Sequence, residues 1–533
     1  MTATVQTLLL MMAVLAAVDV SARRLKIAPS ILLVVAGLLL ALIPGLPAVT
    51  LAPEVVLLVI LPPLIYSAGV AMSWREFRFN LRPIALLAVG CVLFTTGAVA
   101  ATAHYLIGLP WAVGFVLGAI VAPPDTVAPL AIARRLGLPR RLVVVLEGEG
   151  LANDATALIL YRFAVAAVAT GSFSLPQASG TFLAIVAGEI AWGIAVGWVS
   201  LHLRKWAHDP RVEITLSLMT PYVAFWIPEH LGGSGVLATV ACGLWVSWNG
   251  PLLIPSATRL QGVFFWDFIV YLTEGFVFLL TGLQARTLLD QQHNFSLANV
   301  GVVTLLITAI IIAARFVWVF PATYIPRWLI PRIARDDPAP AWQLPFFLAF
   351  TGVRGVVSLA AALALPYATE SGAPFPHRAL ILFVTFGVIL LTLVGQGSVL
   401  PLVARMLGLT RAGHDERNAE LAAEINARVA ALEEVEKHLE SIGEKLPDDV
   451  RELLRTRNHS RAQILPRDME KGLARMQLSA KVKKELIEAE RRFIHRQLRE
   501  GKIADEARRR IEYELDLEEA SVANRARDGG GWM

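Results

Sequence analysis

The sequence predicts an all-α membrane protein: about thirteen transmembrane helices in inverted repeats, two of them discontinuous and crossing, then a soluble helical C-terminal tail. Three observations carry this. Of the 533 residues, 56% are hydrophobic and only 17% charged, where soluble domains hold about 25% charged. Residues 1–412 are mostly apolar runs of membrane-crossing length, whereas 413–533 are dense in Glu, Arg, Lys and Asp without any such run. Proline and glycine also interrupt two of the runs where a regular helix cannot continue.

The runs fall near 4–21, 27–44, 53–72, 82–107, 110–134, 142–170, 178–203, 213–229, 234–250, 263–283, 298–327, 342–366 and 378–407. The first has no positive start, and Arg23, Arg24 and Lys26 follow it. A cleavable signal peptide carries its charge ahead of the apolar stretch, so this run reads as a retained span with its N-terminus outside. An odd count puts the termini on opposite sides. With the C-terminus cytoplasmic, the inside loops and span ends hold seventeen Lys and Arg, from Arg23 to Arg335, against Arg286 and Arg378 outside. The net charge of +5 is thus explained by cytoplasmic loops, and no nucleic-acid partner is expected. Cys91 and Cys242 lie inside apolar runs and read as small buried hydrophobes.

The tail reads as helices. Leu421, Ile425, Val429, Leu432 and Val435 recur at three- and four-residue spacing between Ala419 and Ile442, and stretches near 447–460 and 478–522 repeat the pattern. Gly529-Gly530-Gly531 reads as a frayed end.

Charges at mid-span need a partner or a task, and the candidates are Asp125, Glu149, Asp154, Arg162, Glu189, Glu274, Arg315 and Arg354. Asp125 sits in Pro123-Pro124-Asp125-Thr126-Val127-Ala128-Pro129, where three prolines break the helix. Broken backbone at membrane depth is tolerated only inside protein or beside a wet cavity, where its free ends can hold ions. The next span carries Glu147, Glu149, Asn153 and Asp154, a density of acidic groups that packing does not explain. A carboxylate is both a titrating group and a hard oxygen ligand, so proton and small cation can compete for it. Arg315 must pair, and Glu149 is its natural counter-ion. Arg354, flanked by Gly352 and Gly355, marks a second weakened helix seven spans after the first. That separation fits two six-span repeats joined by a linker span. Arg162 and Glu189, on adjacent spans, read as a structural pair.

These residues resemble the monovalent cation:proton antiporter-1 family, which includes bacterial sodium/proton antiporters. The match is carried by Leu61-Pro62-Pro63-Leu64-Ile65-Tyr66-Ser67-Ala68-Gly69, Pro123-Pro124-Asp125-Thr126-Val127-Ala128, Glu147 to Ala155, Gly352-Val353-Arg354-Gly355 and Arg315. The resemblance implies that Asp154 alternates between Na⁺ and H⁺, with Asn153 beside it and Asp125 as a second acidic group. It implies a structural Glu149–Arg315 ion pair, with Pro124, Thr126, Ser67 and Arg354 in support. It also implies a homodimer in the lipid bilayer of the bacterial inner (plasma) membrane, a core bundle moving against a dimerisation bundle, and no cofactor or enzymatic activity.

The chain departs from some members at three possible ligand positions: Ser67 in place of an acidic residue, Gly150 in place of serine and Pro124 in place of threonine. Between residues 27 and 411 the only lysine is Lys205, in a loop, so no second proton carrier is available and electroneutral exchange is expected. The expected division is a transmembrane antiporter domain, 1–412, and a cytoplasmic helical tail, 413–533. The alternatives are a K⁺/H⁺ antiporter on the same scaffold, a gated cation channel and an intramembrane aspartyl protease. The last needs Gly-x-Gly-Asp, whereas Leu151-Ala152-Asn153 precedes Asp154.

Overall fold

The computed structural model describes residues 2–43, 52–171, 173–290, 297–369, 372–442, 447–463, 469–500 and 502–528. Gly529–Gly531 lie outside the described residues. The chain forms two compact units, one of residues 1–133 and 140–409, the other of 134–139 and 410–533.

The first unit is helical at every apolar run. Besides the short helices Trp74–Phe79 and Pro331–Asp336, its helices are α1 (Thr2–Leu25), α2 (Pro29–Ala41), α3 (Pro53–Ala71), α4 (Leu81–Tyr105), α5 (Trp111–Val121), α6 (Val127–Leu136, ending in the second unit) and α7 (Arg140–Thr170). They continue as α8 (Leu175–Ala207), α9 (Pro210–His230), α10 (Val236–Leu253), α11 (Ser256–Asp290), α12 (Leu297–Leu329), α13 (Gln343–Phe350), α14 (Val356–Leu363) and α15 (Arg378–Met406). Among the described residues, eight of these are long and apolar enough to cross a membrane. Both predicted breaks are present: α5 and α6 flank one, α13 and α14 the other.

Among the described residues, two apolar clusters each join four helices of this unit. Leu87, Cys91, Val145, Val319 and Ala349 join α4, α7, α12 and α13. Tyr66, Val196, Leu201, Ala224, Cys242 and Val246 join α3, α8, α9 and α10. Both cysteines are buried and free. Small residues let backbones touch where two helices cross without side chains between them. A Cβ on Gly37 of α2 would overlap the Leu279 carbonyl of α11, and one on Gly282 would overlap that of Val34.

Among the described residues three helices contain a π-turn, each next to a group that uses the altered backbone. In α3 the turn is Val56–Ile60, just before Pro62 and Pro63. In an α-helix those prolines leave the carbonyls four residues back, Leu58 and Val59, without N–H donors. Two side chains of α9 supply them: Trp226 Nε1–H donates to Leu58 O at 3.0 Å, and Tyr222 O–H to Val59 O at 3.1 Å. In α4 the turn is Leu86–Cys91, and Trp318 of α12 donates to Leu86 O at 2.9 Å. The third, Leu391–Gln396 in α15, holds the break between α13 and α14.

One expected pair does not form. Arg162 instead bonds Glu229 at the end of α9. Glu189 caps the start of α10, accepting from Ser234 N (2.5 Å), Gly235 N (3.0 Å), Leu237 N (3.0 Å) and the Ser234 hydroxyl (3.1 Å). Four donors at a helix N-terminus satisfy a buried carboxylate better than one distant arginine.

In the second unit the tail helices are α16 (Leu409–Ile442), α17 (Asp448–Gln463), α18 (Met469–Arg499) and α19 (Asp505–Asp528). The stretch expected near 478–522 is therefore two helices, one ending at Arg499 and the next beginning at Asp505, with Asp505 and Glu506 opening the second at its favourable positive end. The first tail helix starts at Leu409, ten residues ahead of the periodic pattern. Ile487, Leu515 and Val522 are buried in α18 and α19, which Arg491 ties through Asp516 and Glu519. Gly137 closes α6 in a left-handed turn, and the Arg417 guanidinium lies against it.

Candidate ion-binding site

A helix end leaves carbonyls or N–H groups unpaired, so two broken helices that cross present four bare ends at one place. The C-terminal ends are those of α5 and α13. The guanidinium of Arg354, 1% exposed, meets both: Nε–H donates to Val121 O at 2.8 Å, Nη2 to Ala122 O at 3.2 Å, and Nη1 to Gly352 O. Gln396 of α15 adds a bond to Phe350 O at 2.5 Å, and the Thr392 hydroxyl accepts Arg354 N–H at 2.9 Å. The carbonyls expected to face a cation are thus neutralised by the protein's own cation.

The N-terminal ends belong to α6 and α14, and there the charge is Asp125. Its Oδ1 accepts Val127 N–H at 2.9 Å, and its own N–H donates to Val353 O at 2.7 Å, so the two breaks are bonded directly. A Cβ on Gly355 would overlap the Asp125 carboxylate; glycine is required there by the close approach.

The helix α7 lies alongside. Asn153, fully buried, donates from Nδ2 to Pro124 O at 2.7 Å, and its Oδ1 is buried without a hydrogen-bond partner. Gly150, one turn earlier, leaves room for Thr126: a Cβ there would overlap its hydroxyl. Pro124 and Thr126 are therefore placed by contacts with α7. Asp154 follows Asn153, half-buried, and among the described residues it makes no hydrogen bond or ion pair. Asp125 is half-buried as well.

Glu149 and Arg315 form a bidentate pair at 2.5 and 2.8 Å, with both side chains 1% exposed or less. Arg315 Nε–H also donates to Leu348 O at 3.0 Å, so the pair ties α7 and α12 to α13. The Ser67 hydroxyl bonds within its own helix, donating to Leu64 O at 3.0 Å. Gln396 and Thr392 were not singled out from the sequence; the signal available was Gly395-Gln396-Gly397, a polar group between glycines in an apolar run. Glu229 had no such signal, because it lies at a helix end where charge is ordinary.

Half-helices crossing beside an acidic helix define a secondary transporter. The fold is similar to that of the sodium proton antiporter MjNhaP1 from Methanocaldococcus jannaschii, with a TM-score of 0.61 and 19% identity over 76% of this chain and 98% of that one. The family profile described as "Sodium/hydrogen exchanger, transmembrane" matches residues 9–406. An uncharacterised Na⁺/H⁺ exchanger of Mycobacterium tuberculosis (strain ATCC 25618 / H37Rv) is 33% identical over 530 residues, 97% of either chain. A sodium, potassium, lithium and rubidium/H⁺ antiporter of Bacillus pumilus (strain SAFR-032) is 31% identical over 431 residues, covering 78% of this chain and 62% of that one. The chain belongs to the sodium/hydrogen exchanger family, a family of transporters and not of enzymes.

Proposed function

We propose that this chain exchanges Na⁺ for H⁺, one for one, with Asp154 as the carboxylate that binds each in turn. The observation that carries the reading is the contrast between two acidic groups. Asp125 is committed to a helix end by Val127 N–H, whereas Asp154 is half-open and has no protein counter-charge. A group free of internal partners can exchange ligands; one that caps a helix cannot without loosening it. Asn153 orients the site through Pro124 and offers its free Oδ1 to the ion.

Arg354 and the Glu149–Arg315 pair hold the crossing without carrying ions. Lys205, expected in a loop, lies in the last turn of α8 at the edge of the bundle; with it placed there and one carrier carboxylate, each cycle moves no net charge. The protein then sits in the inner membrane as a homodimer, N-terminus outside and the tail from 413 in the cytoplasm, and serves pH and sodium homeostasis.

A K⁺-accepting variant of this chemistry is the second reading, favoured by the relative named for sodium, potassium, lithium and rubidium. The test is a pH-gradient dequenching assay in everted vesicles with Na⁺, Li⁺ and K⁺ in turn. Responses to Na⁺ and Li⁺ support the first reading, and an equal response to K⁺ the second. In proteoliposomes, turnover that changes with an imposed membrane potential would contradict electroneutrality.

A further inference from the structure

Away from the crossing, three arginines converge on one carboxylate. Asp337, in the segment between α12 and α13, contacts Arg82 at the start of α4 (2.5 Å), Arg141 at the start of α7 (2.7 Å) and Arg327 at the end of α12 (2.7 Å). Three guanidinium groups against one carboxylate leave two positive charges in excess. Two nearby acids are engaged elsewhere, Glu76 by Arg140 and Asp336 by Arg332.

The three arginines are not equivalent. Arg327 is buried and its donors are used, on the Asp337 carboxylate, on Asp337 O at 3.0 Å and on Thr323 O. Arg82 and Arg141 have side chains 28% and 33% exposed and, among the described residues, make no other hydrogen bond or ion pair. The Arg141 contact is also not aligned as a hydrogen bond, because Asp337 Oδ1 is left without a hydrogen-bond partner. Each guanidinium has five donors in a planar fork, so most donors of these two remain open, held near one another by a shared counter-ion. Trp328 and Trp342, 82% and 54% exposed, lie beside this segment in the chain, as rings do at a membrane–water interface.

We propose that Arg82 and Arg141, set by Asp337 and Arg327, bind a phosphate group, supplied by an anionic phospholipid of the cytoplasmic leaflet. Planar forks suit phosphate oxygens, and the headgroup would neutralise the excess charge. The site joins the ends of α4, α7 and α12, so an occupied headgroup steadies the bundle that carries the crossing. The inference rests on the proposed orientation and not on the role of Asp154.

The test uses the full-length protein in nanodiscs of phosphatidylcholine with or without phosphatidylglycerol, comparing thermal midpoints. The wild type is expected to gain several degrees from phosphatidylglycerol, and Arg82→Gln/Arg141→Gln to lose most of that gain. That variant keeps the Arg327–Asp337 pair on which the local fold depends. The exposed Arg332→Gln/Arg335→Gln variant, with the same change in charge, is expected to keep it. Should the first variant's midpoint already fall in phosphatidylcholine, native mass spectrometry reads the same point as the loss of a retained phosphatidylglycerol. An unchanged response in Arg82→Gln/Arg141→Gln, or an equal loss in the control, overturns the site. Inorganic phosphate reproducing the gain in phosphatidylcholine alone would keep the phosphate chemistry and overturn its lipid source. Cation exchange failing in vesicles would leave this result untouched.

Discussion

Tyr222 and Trp226 replace two hydrogen bonds that Pro62 and Pro63 remove, and this can be tested with a double-mutant cycle. The bonds are 3.1 Å to Val59 O and 3.0 Å to Leu58 O, on a part of α9 where Trp226 is 44% exposed. Where such a face meets hydrocarbon, no water can take over a bare carbonyl. Tyr222→Phe removes only the hydroxyl, and a hydrogen bond between membrane helices is worth about 1–2 kcal/mol. With Pro63→Ala, residue 63 regains an N–H directed at Val59 O, so Tyr222→Phe should then cost under about 0.5 kcal/mol, a coupling near ~1 kcal/mol. Trp226→Phe with Pro62→Ala should behave alike. The assay is reversible unfolding in mixed micelles, with each variant measured in both backgrounds. Equal costs of Tyr222→Phe with and without Pro63 would refute the compensation.

The remaining predictions concern the crossing and the tail. Glu149→Gln strands a buried Arg315 charge and should destabilise the protein by about 3–5 kcal/mol, read as a lower thermal midpoint. Glu149→Gln/Arg315→Met should recover part of that, and no recovery would contradict the pair's structural role. Gly355→Ala forces a Cβ onto the Asp125 carboxylate, at about 1–3 kcal/mol for overpacking. Its exchange rate per folded protein should fall about tenfold if that displacement reaches the transition state, and a wild-type rate would show the contact is not needed. In the tail, hydrogen bonds from Asn458 and Arg455 hold the Glu436 carboxyl below its ordinary value. A depressed carboxylate stabilises at neutral pH, and the contribution is lost as pH falls through the depressed value, below the usual glutamate range. Amide protection factors in α16 and α17 of the full chain, corrected for the intrinsic pH dependence of exchange, should therefore fall on acidification and with Glu436→Gln; protection indifferent to both would contradict it.

Much of this was legible in the sequence because membrane solvent allows few solutions. Run length located the apolar helices of the first unit but not the short polar helices Trp74–Phe79 and Pro331–Asp336 between runs, and prolines 123, 124 and 129 with Gly352 and Gly355 located both breaks. Glu149 and Arg315 could be paired because neither charge is tolerable alone at that depth. What failed was pairing by proximity of runs: Arg162 and Glu189 are on adjacent helices, yet each found a nearer partner at a helix end that linear order does not reveal. The role of Arg354 was hidden for a related reason. Its partners are backbone carbonyls of another broken helix, and carbonyls carry no mark in sequence. Tyr222 and Trp226 were equally silent, although the two prolines they serve were in view. In the tail, the periodic pattern could not register the division between α18 and α19, because both helices share one composition.

The central claim is that Asp154, and not Asp125, carries the exchanged ions. The most direct measurement is dequenching of a pH gradient in everted vesicles by Na⁺ and Li⁺, comparing the wild type with Asp154→Asn at matched, folded protein levels. The account predicts that Asp154→Asn abolishes every cation response while the protein retains its thermal midpoint. Persistent cation-driven proton movement in that variant would contradict it.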